Sequence, residues 1–262
     1  MVFLDNEKTA SALLKAVRDF TEYCDDEKAG LILTSVRAVG LLDIWVMFAF
    51  YDGPTVPSDV FANFTSVGPF LNTCKTQSYS ALLTGNNAAV VKGSIYNIGT
   101  ETMPLPNSTH GTEVMETIHS HWRGVSGSVQ SVPGVIANIA YQPFPKKMAR
   151  IARAKGGDLL DLDDDVDRII IELNYSHWFK LNRDKIDKAM MRTYEGINTL
   201  VQGFQASGKL PNAYLPLFMN DGYYRQDIFG RLRATQRELA QSVAQSVDAE
   251  GMWKKRTGGF KP

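Results

Sequence analysis

Residues 41–51 read LLDIWVMFAFY and carry the alternation that decides the fold class. Every second position is apolar, at Leu42, Ile44, Val46, Phe48 and Phe50. The positions between them hold Asp43, Trp45, Met47, Ala49 and Tyr51. Because successive side chains of a strand point to opposite faces, this spacing predicts a β-strand with one aliphatic face and one mixed face.

Two later stretches repeat the pattern. In 134–142, an aliphatic set opposes Ile136, Asn138, Ala140 and Gln142, and in 166–175 another opposes Arg168, Glu172 and Asn174. We expect the aliphatic faces to lie under helices. The mixed face is expected to form a wall towards a ligand or partner, the alternative being a half-exposed sheet with incidental aromatics. This wall would carry Trp45, Met47, Tyr51, Asn138, Gln142, Glu172 and Asn174.

The remaining periodicities place helices and strands in alternation along the chain. Gly40 between two apolar runs predicts a tight hairpin, which requires antiparallel pairing, and no Gly-rich phosphate turn follows a first strand. The sequence therefore predicts an α+β fold in a single domain, 1–262, with an antiparallel sheet and helices packed on one face. Strands are predicted at 31–37, 41–51, 90–99, 134–142 and 166–175, and helices at 7–24, 58–65, 111–124, 146–155, 183–206 and 226–247.

Composition excludes several classes of protein. The 262 residues include 28 Lys and Arg against 28 Asp and Glu, and this balance argues against a nucleic-acid partner. No apolar run approaches the roughly 20 residues of a membrane span, and the first residues, MVFLDNEKT, do not resemble a secretory signal. We expect a cytoplasmic protein with no membrane span.

Two motifs suggest metals and are better explained otherwise. His119 and His121 point apart on a helix, so they do not form a ligand pair. The run LDLDDDVD, 160–167, places acidic residues at calcium-loop spacing, but Val166 stands where the loop requires glycine. We therefore expect an acidic turn before a strand and no metal site.

Four segments together resemble a known family: FYDGPTVPSDVFANF (50–64), AYQPFPKKMARIARAKGGDLLDLDDDVD (140–167), LPLFMNDGYYRQDIFG (215–230) and VDAEGMWKKRTGGFKP (247–262). They are similar to the C-terminal, substrate-binding half of fungal FAD-linked oxidoreductases of the berberine-bridge-enzyme and vanillyl-alcohol-oxidase group. The resemblance implies an antiparallel sheet backed by helices, whose open face covers the flavin ring. The family's flavin-binding half precedes this region, and no flavin-binding motif is recognised in the sequence.

The family's site motifs are only partly kept. The plant PYGGxMxEI segment matches 143–151, and the glutamate that acts as its base falls at Arg150. The YxNY motif matches 218–221, where Asn220 is kept and Phe218 and Asp221 replace the tyrosines.

Three functions remain open. The leading hypothesis is a cofactor-independent cyclase of the [4+2] type, or an isomerase, acting on a polyketide- or terpenoid-like intermediate of fungal secondary metabolism. The first alternative is an oxidoreductase half that works with FAD supplied by another chain. The second alternative is a protein that binds a hydrophobic intermediate without catalysis.

The hypothesis assigns a role to each candidate residue. His121, Glu172 and Asp221 would move a proton. Substrate would be bound by Trp45, Met47, Tyr51, Asn138, Gln142, Asn174 and Asn220. No cofactor is expected in the chain itself, the partner is a hydrophobic small molecule, and an uncovered sheet face predicts a homodimer.

Overall fold

The computed structural model describes residues 1–38, 42–86 and 91–262. Within them, all strands form one antiparallel sheet in the order β1-β3-β2-β5-β6-β4, which confirms the α+β class. The expected turn at Gly40, the residue Leu41 and the expected strand start at residue 90 lie outside the described part of the chain. The strands are β1 (Val2–Leu4), β2 (Ala29–Ala38), β3 (Leu42–Tyr51), β4 (Ile95–Pro104), β5 (Ile136–Phe144) and β6 (Arg168–His177).

Three long helices cover one face of this sheet. Each turns an apolar stripe towards the strands, for example Leu13 and Val17 of α1, Ile118 of α4, and Met190 and Ile197 of α6, all of which are buried. Directly before α1, the Asn6 side chain accepts a hydrogen bond from the Thr9 amide at 2.9 Å and so caps the helix. The helices are α1 (Glu7–Tyr23), α2 (Ala62–Thr65), α3 (Tyr79–Asn86), α4 (Gly111–Gly127), α5 (Lys146–Ala154), α6 (Arg183–Ala206), α7 (Ala234–Val247) and α8 (Met252–Arg256).

The faces of β5 and β6 agree with the sequence prediction. Ile139 and Tyr141 of β5 and Ile171 and Leu173 of β6 are fully buried under the helices. The strands pair Ile139 with Leu173 and Tyr141 with Ile171, which aligns the two aliphatic faces. The other side of the sheet, which we call the open face, consists of the strand residues that point away from α1, α4 and α6.

The predicted orientation of β3 is wrong. Trp45 and Met47 are 0% and 1% exposed and belong to the helix-covered core, whereas Phe48 and Phe50 are 41% and 46% exposed on the open face. Pairing fixes this orientation, because Met47 lies opposite Leu33, and Leu33 lies opposite the buried Tyr141. Since β3 is apolar on both faces, alternation alone did not say which face the helices cover.

Helix α7 begins eight residues later than predicted because the preceding segment closes the sheet edge. The Gln226 side chain accepts a hydrogen bond from the Thr100 amide (3.1 Å) and donates to the Thr100 carbonyl oxygen (2.7 Å). One amide group thus pairs the outer backbone of edge strand β4 as a neighbouring strand would. None of the described helices is long and apolar enough to cross a membrane.

The reversed orientation of β3 is tested by two alanine variants. Trp45→Ala removes a fully buried ring and is expected to lower the free energy of unfolding by about 3–5 kcal/mol. Phe48→Ala, its control on the open face, is expected to change it by about 1 kcal/mol or less. Urea unfolding followed by far-ultraviolet circular dichroism measures both, and a larger loss for Phe48→Ala would contradict this packing.

Candidate functional site on the open face of the sheet

Polar side chains interrupt an apolar surface at the centre of the open face. Asn138 of β5 pairs directly with Asn174 of β6, and this pair lies in a row that crosses all six strands. The adjacent row contains Glu172, which lies two residues from Asn174 on the same strand and therefore on the same face. The first row reads Leu4, Ile44, Val36, Asn138, Asn174 and Ile98, and the second reads Val2, Val46, Thr34, Ala140, Glu172 and Thr100.

The two asparagines of the first row each present an acceptor without a donor. The Oδ1 atoms of Asn138 and Asn174 are shielded from solvent and have no hydrogen-bond partner among the described residues. A shielded acceptor without a partner destabilises a fold by about 1–3 kcal/mol. A ligand or a bound water at this place can supply the missing donors.

Glu172 belongs to a second polar group with Gln142 and Asp221. The Gln142 Nε2 atom donates to Asp221 Oδ2 at 2.8 Å and approaches Glu172 Oε2 at 3.4 Å. The amide therefore bridges two carboxyl groups on the open face. We call these three residues the carboxyl–amide cluster.

Burial raises the pKa of both carboxyl groups of the cluster. Desolvation, with a smaller contribution from the charge of Asp221, raises the pKa of Glu172 from 4.5 to about 7. Desolvation also raises the pKa of Asp221, and the hydrogen bond from Gln142 opposes part of that rise. Glu172 can thus accept or release a proton near neutral pH.

Asp221 reaches the open face on a loop that passes around the β4 edge. The loop is attached where Thr102 Oγ1 donates to the Pro216 carbonyl and where Tyr224 donates to Asp187 Oδ2 of α6 at 2.9 Å. Between these points, the 3₁₀ turn Met219–Asp221 brings the carboxylate to Gln142. The edge pairing by Gln226 and these attachments therefore position the second carboxyl group.

An apolar area extends from the polar centre towards β1 and β3. It includes Leu4, Phe48 and Phe50, which are exposed, and Ile44 and Val46, which are half-buried. The sequence prediction placed the apolar residues of β3 under helices, so it missed this part of the surface. The alternation identified the two faces of β3, but it held no signal for choosing between them.

Five of the ten predicted site residues meet on the open face, namely Asn138, Gln142, Glu172, Asn174 and Asp221. Asn220 is exposed in the 3₁₀ turn beside Asp221. Arg150, which occupies the position of the family's glutamate base, lies elsewhere. It is on α5, where its guanidinium donates to the Asp164 carbonyl at 2.8 Å.

The other four predicted residues lie on the helix side of the sheet. Trp45 and Met47 are core residues, and the Tyr51 hydroxyl donates to Asp26 at 3.0 Å at the end of β3. His121 of α4 faces α6, where its Nε2 atom lies 3.2 Å from the Arg192 carbonyl oxygen. In this structure these four residues do not share a surface with the carboxyl–amide cluster, which corrects the wall expected from the sequence.

The two motifs that suggested metals have structural explanations. His119 stacks on Trp45 with ring centroids 4.8 Å apart, and burial lowers its pKa to about 4, so it is a neutral core residue. In the acidic run, Asp163 forms ion pairs with Arg168 and Arg233, and Asp161 forms one with Arg153. The run is thus a turn in which arginines pair with Asp161 and Asp163.

Comparisons with known proteins identify relatives of this chain. No protein-family model matches it. It is 37% identical to an uncharacterized FAD-linked oxidoreductase of Arthroderma benhamiae, in an alignment that covers 99% of this chain and 52% of the relative. The chain therefore spans about half the length of the curated relative that it matches.

Solved structures share the fold at low sequence identity. 6-Hydroxy-D-nicotine oxidase from Arthrobacter nicotinovorans matches with a TM-score of 0.51 at 11% identity, over 90% of this chain and 49% of that chain. Chitooligosaccharide oxidase matches with a TM-score of 0.51 at 10% identity, over 96% and 52%. A berberine bridge enzyme variant in complex with (S)-reticuline matches with a TM-score of 0.50 at 13% identity, over 96% and 48%.

The raised pKa of Glu172 predicts how stability depends on pH. Because the folded state holds this proton up to about pH 7, whereas an ordinary glutamate releases it near 4.5, the unfolded state binds fewer protons between these values. The free energy of unfolding therefore falls as pH rises through this window. Glu172→Gln removes this effect. The free energy of unfolding of the variant minus that of the parent is therefore expected to be about 1–3 kcal/mol larger at pH 8 than at pH 4.

Urea unfolding of both proteins at the two pH values measures this difference. Contributions from the other titrating groups cancel in the comparison of the variant with the parent. Glu238→Gln on α7 is the matched control, since it makes the same substitution at an exposed position outside the carboxyl–amide cluster. An equal effect of Glu172→Gln at both pH values would show that Glu172 titrates as an ordinary glutamate.

Proposed function

Since the chain is a homologue of about half of a FAD-linked oxidoreductase, we propose that it forms the substrate side of a flavin-dependent oxidase. The open face would then lie against the flavin and the substrate. The observation that carries this proposal is Glu172, whose pKa is raised to about 7, beside the unpartnered acceptors of Asn138 and Asn174 on a surface that is otherwise apolar. Catalytic sites commonly combine an apolar wall with a few convergent polar groups of perturbed pKa.

The residues of the open face are compatible with a flavin. A flat, largely apolar ring system that carries N–H groups matches an apolar sheet surface with two shielded oxygen acceptors at its centre. Asn138 and Asn174 would therefore hold either the ring or the substrate next to it. FAD, when bound, supplies the electron acceptor for oxidation of the substrate.

Glu172 is the proposed proton acceptor. At neutral pH about half of its molecules are ionised, which is the condition under which a general base is both available and strong enough. The substrate hydroxyl would release its proton to Glu172. Gln142 holds the carboxyl groups of Glu172 and Asp221 in one cluster, so the charge on one disfavours the charge on the other.

The surface also indicates a class of substrate. The exposed Phe48 and Phe50 favour a hydrophobic body, and the two asparagine oxygens favour hydroxyl or N–H donors on it. A small polyketide- or terpenoid-like alcohol or phenol, of the kind found in fungal secondary metabolism, has both features.

A second candidate is the cofactor-independent cyclase or isomerase. The carboxyl–amide cluster favours it specifically, because two adjacent carboxyl groups with raised pKa values can give and take a proton without a redox centre. In that case the apolar area would shape the substrate and Asn138 or Asn174 would orient it. The two candidates differ in the mass of the product relative to the substrate, which an oxidase lowers and an isomerase or cyclase leaves unchanged.

The test is an allele replacement in the host that carries Glu172→Gln. Loss of the base is expected to slow turnover by about 10²–10⁴-fold, so the substrate accumulates. An oxidase predicts that the lost product is lighter than the accumulating compound by two hydrogen atoms. Mass spectrometry of culture extracts measures the difference, with Glu238→Gln as the matched control.

Two other results of this experiment would reject the oxidase. Equal masses of substrate and product would reject the oxidase and support the cyclase or isomerase. No accumulation in Glu172→Gln would reject both, since neither then depends on the carboxyl–amide cluster. An absorbance scan of the full-length protein at flavin wavelengths adds an independent readout, in which the oxidase predicts stoichiometric flavin.

The homodimer through the open face stays a prediction. A second copy and a flavin half would compete for the same apolar surface, so the proposal favours a monomer whenever the flavin half is present. Light scattering of the protein with and without that half measures this. A dimer that persists in its presence would contradict the arrangement proposed for the open face.

A further inference from the structure

Three large apolar side chains protrude where β6 ends and α6 begins. Trp178, Phe179 and Leu181 are 44%, 53% and 84% exposed. The Trp178 indole lies against Gly134, where a Cβ atom would come within 1.8 Å of the ring, so the ring is held in place although it is exposed. The carboxyl–amide cluster uses none of these residues.

A stripe of cations continues from this protrusion along α6. Lys185, Lys188 and Arg192 are spaced by three and four residues, which places all three on one side of the helix, and Leu181 lies in the 3₁₀ turn just before it. Lys185, Lys188, Met191, Arg192 and Glu195 line a shallow cleft of about 420 Å³. The stripe extends about 10 Å along the helix axis.

The charge of this surface is not balanced locally. Lys180, Arg183, Lys185, Lys188 and Arg192 form no ion pair with a carboxylate of the described residues. Asp184 and Glu195 are the exposed carboxylates of this stretch, whereas Asp187 is buried and accepts hydrogen bonds from Asn97 and Tyr224. A chain with no net charge thus concentrates positive charge at one corner.

The loop 128–134 shows that the protrusion and the cations share one surface. Lys185 Nζ donates to Ser131 at 3.0 Å and Arg192 donates to Ser128 at 2.9 Å, while Gly134 of the same loop contacts Trp178. Exposed Trp, Phe and Leu bordered by Lys and Arg are typical of surfaces that lie in the headgroup region of a bilayer.

We propose that this corner docks on an anionic lipid surface. The ring of Trp178 and the side chains of Phe179 and Leu181 enter the interface, and Lys185, Lys188 and Arg192 contact the headgroup phosphates. Charge complementarity selects this partner, because a neutral surface would leave the unpaired cations without counterions. The inference is independent of the oxidase proposal.

The test is sedimentation of the protein with phosphatidylcholine vesicles that do or do not contain phosphatidylserine. Binding is expected only to the vesicles with phosphatidylserine and is expected to weaken as salt is added. Removal of one cation near such a surface lowers partitioning about fivefold, so Lys185→Gln with Lys188→Gln is expected to lower it roughly 25-fold. Leu181→Ser is expected to lower it at least about tenfold.

Control variants matched to these substitutions are available in α7 and α8, the last two helices of the chain. Lys254→Gln with Lys255→Gln in α8 removes the same charge, and Leu239→Ser in α7 removes a leucine that is 53% exposed. Neither control is expected to change vesicle binding. Equal losses in the controls would overturn the assignment to this corner.

Quenching by brominated lipid locates the inserted side chain. Trp178 and Trp253 are the exposed tryptophans of the described residues, and quenching is expected to be lost in Trp178→Phe and kept in Trp253→Phe. Absence of binding to phosphatidylserine vesicles would overturn the proposal. Binding of inorganic phosphate without vesicle binding, or capture of another half of the protein by this surface instead, would overturn it as well.

Discussion

The indole ring of Trp45 lies in the contact between the sheet and helix α4. It stacks on His119 at 4.8 Å, and its Nε1 atom donates to Asp5 at 2.8 Å. Because side chains alternate along a strand, burial of this ring turns Ile44 and Val46 to the open face. The pairing of β3 with β2 and of β2 with β5 then fixes which residues of the whole sheet face outward, including Asn138.

Much of the fold could be predicted from local periodicity. Helix α6 matches its predicted bounds, and β5 and β6 each lie within two residues of theirs. β4 was placed five residues too early, because Thr100, Glu101 and Thr102 form an edge strand without an apolar alternation. β1 was missed because three residues carry no measurable period.

Tertiary contacts decided the features that the sequence left open. β3 is apolar on both faces, so only packing against α4 could show that Trp45 and Met47 face inward. The start of α7 depends on Gln226, whose side chain pairs with Thr100 far away in the sequence. A local pattern contains no information about either contact.

The site was predicted where its residues share strands. Glu172 and Asn174 lie two residues apart on β6, and Asn138 and Gln142 lie four apart on β5, so alternation was sufficient to place each pair on one face. Asp221 was named from its position in a loop motif, and the structure brings it to Gln142. His121 was wrongly grouped with them, because a helix position does not reveal which layer the side chain faces.

The proposed chemistry depends on a carboxyl group that keeps its proton to neutral pH on an otherwise apolar sheet surface. Carbon-13 NMR titration of the Glu172 side-chain carboxyl measures this directly, with Glu172→Gln used to assign the signal. The expected midpoint is a pKa of about 7, and it should fall in Asp221→Asn because the repulsive charge is removed. A midpoint near the ordinary value of 4.5 would contradict the account.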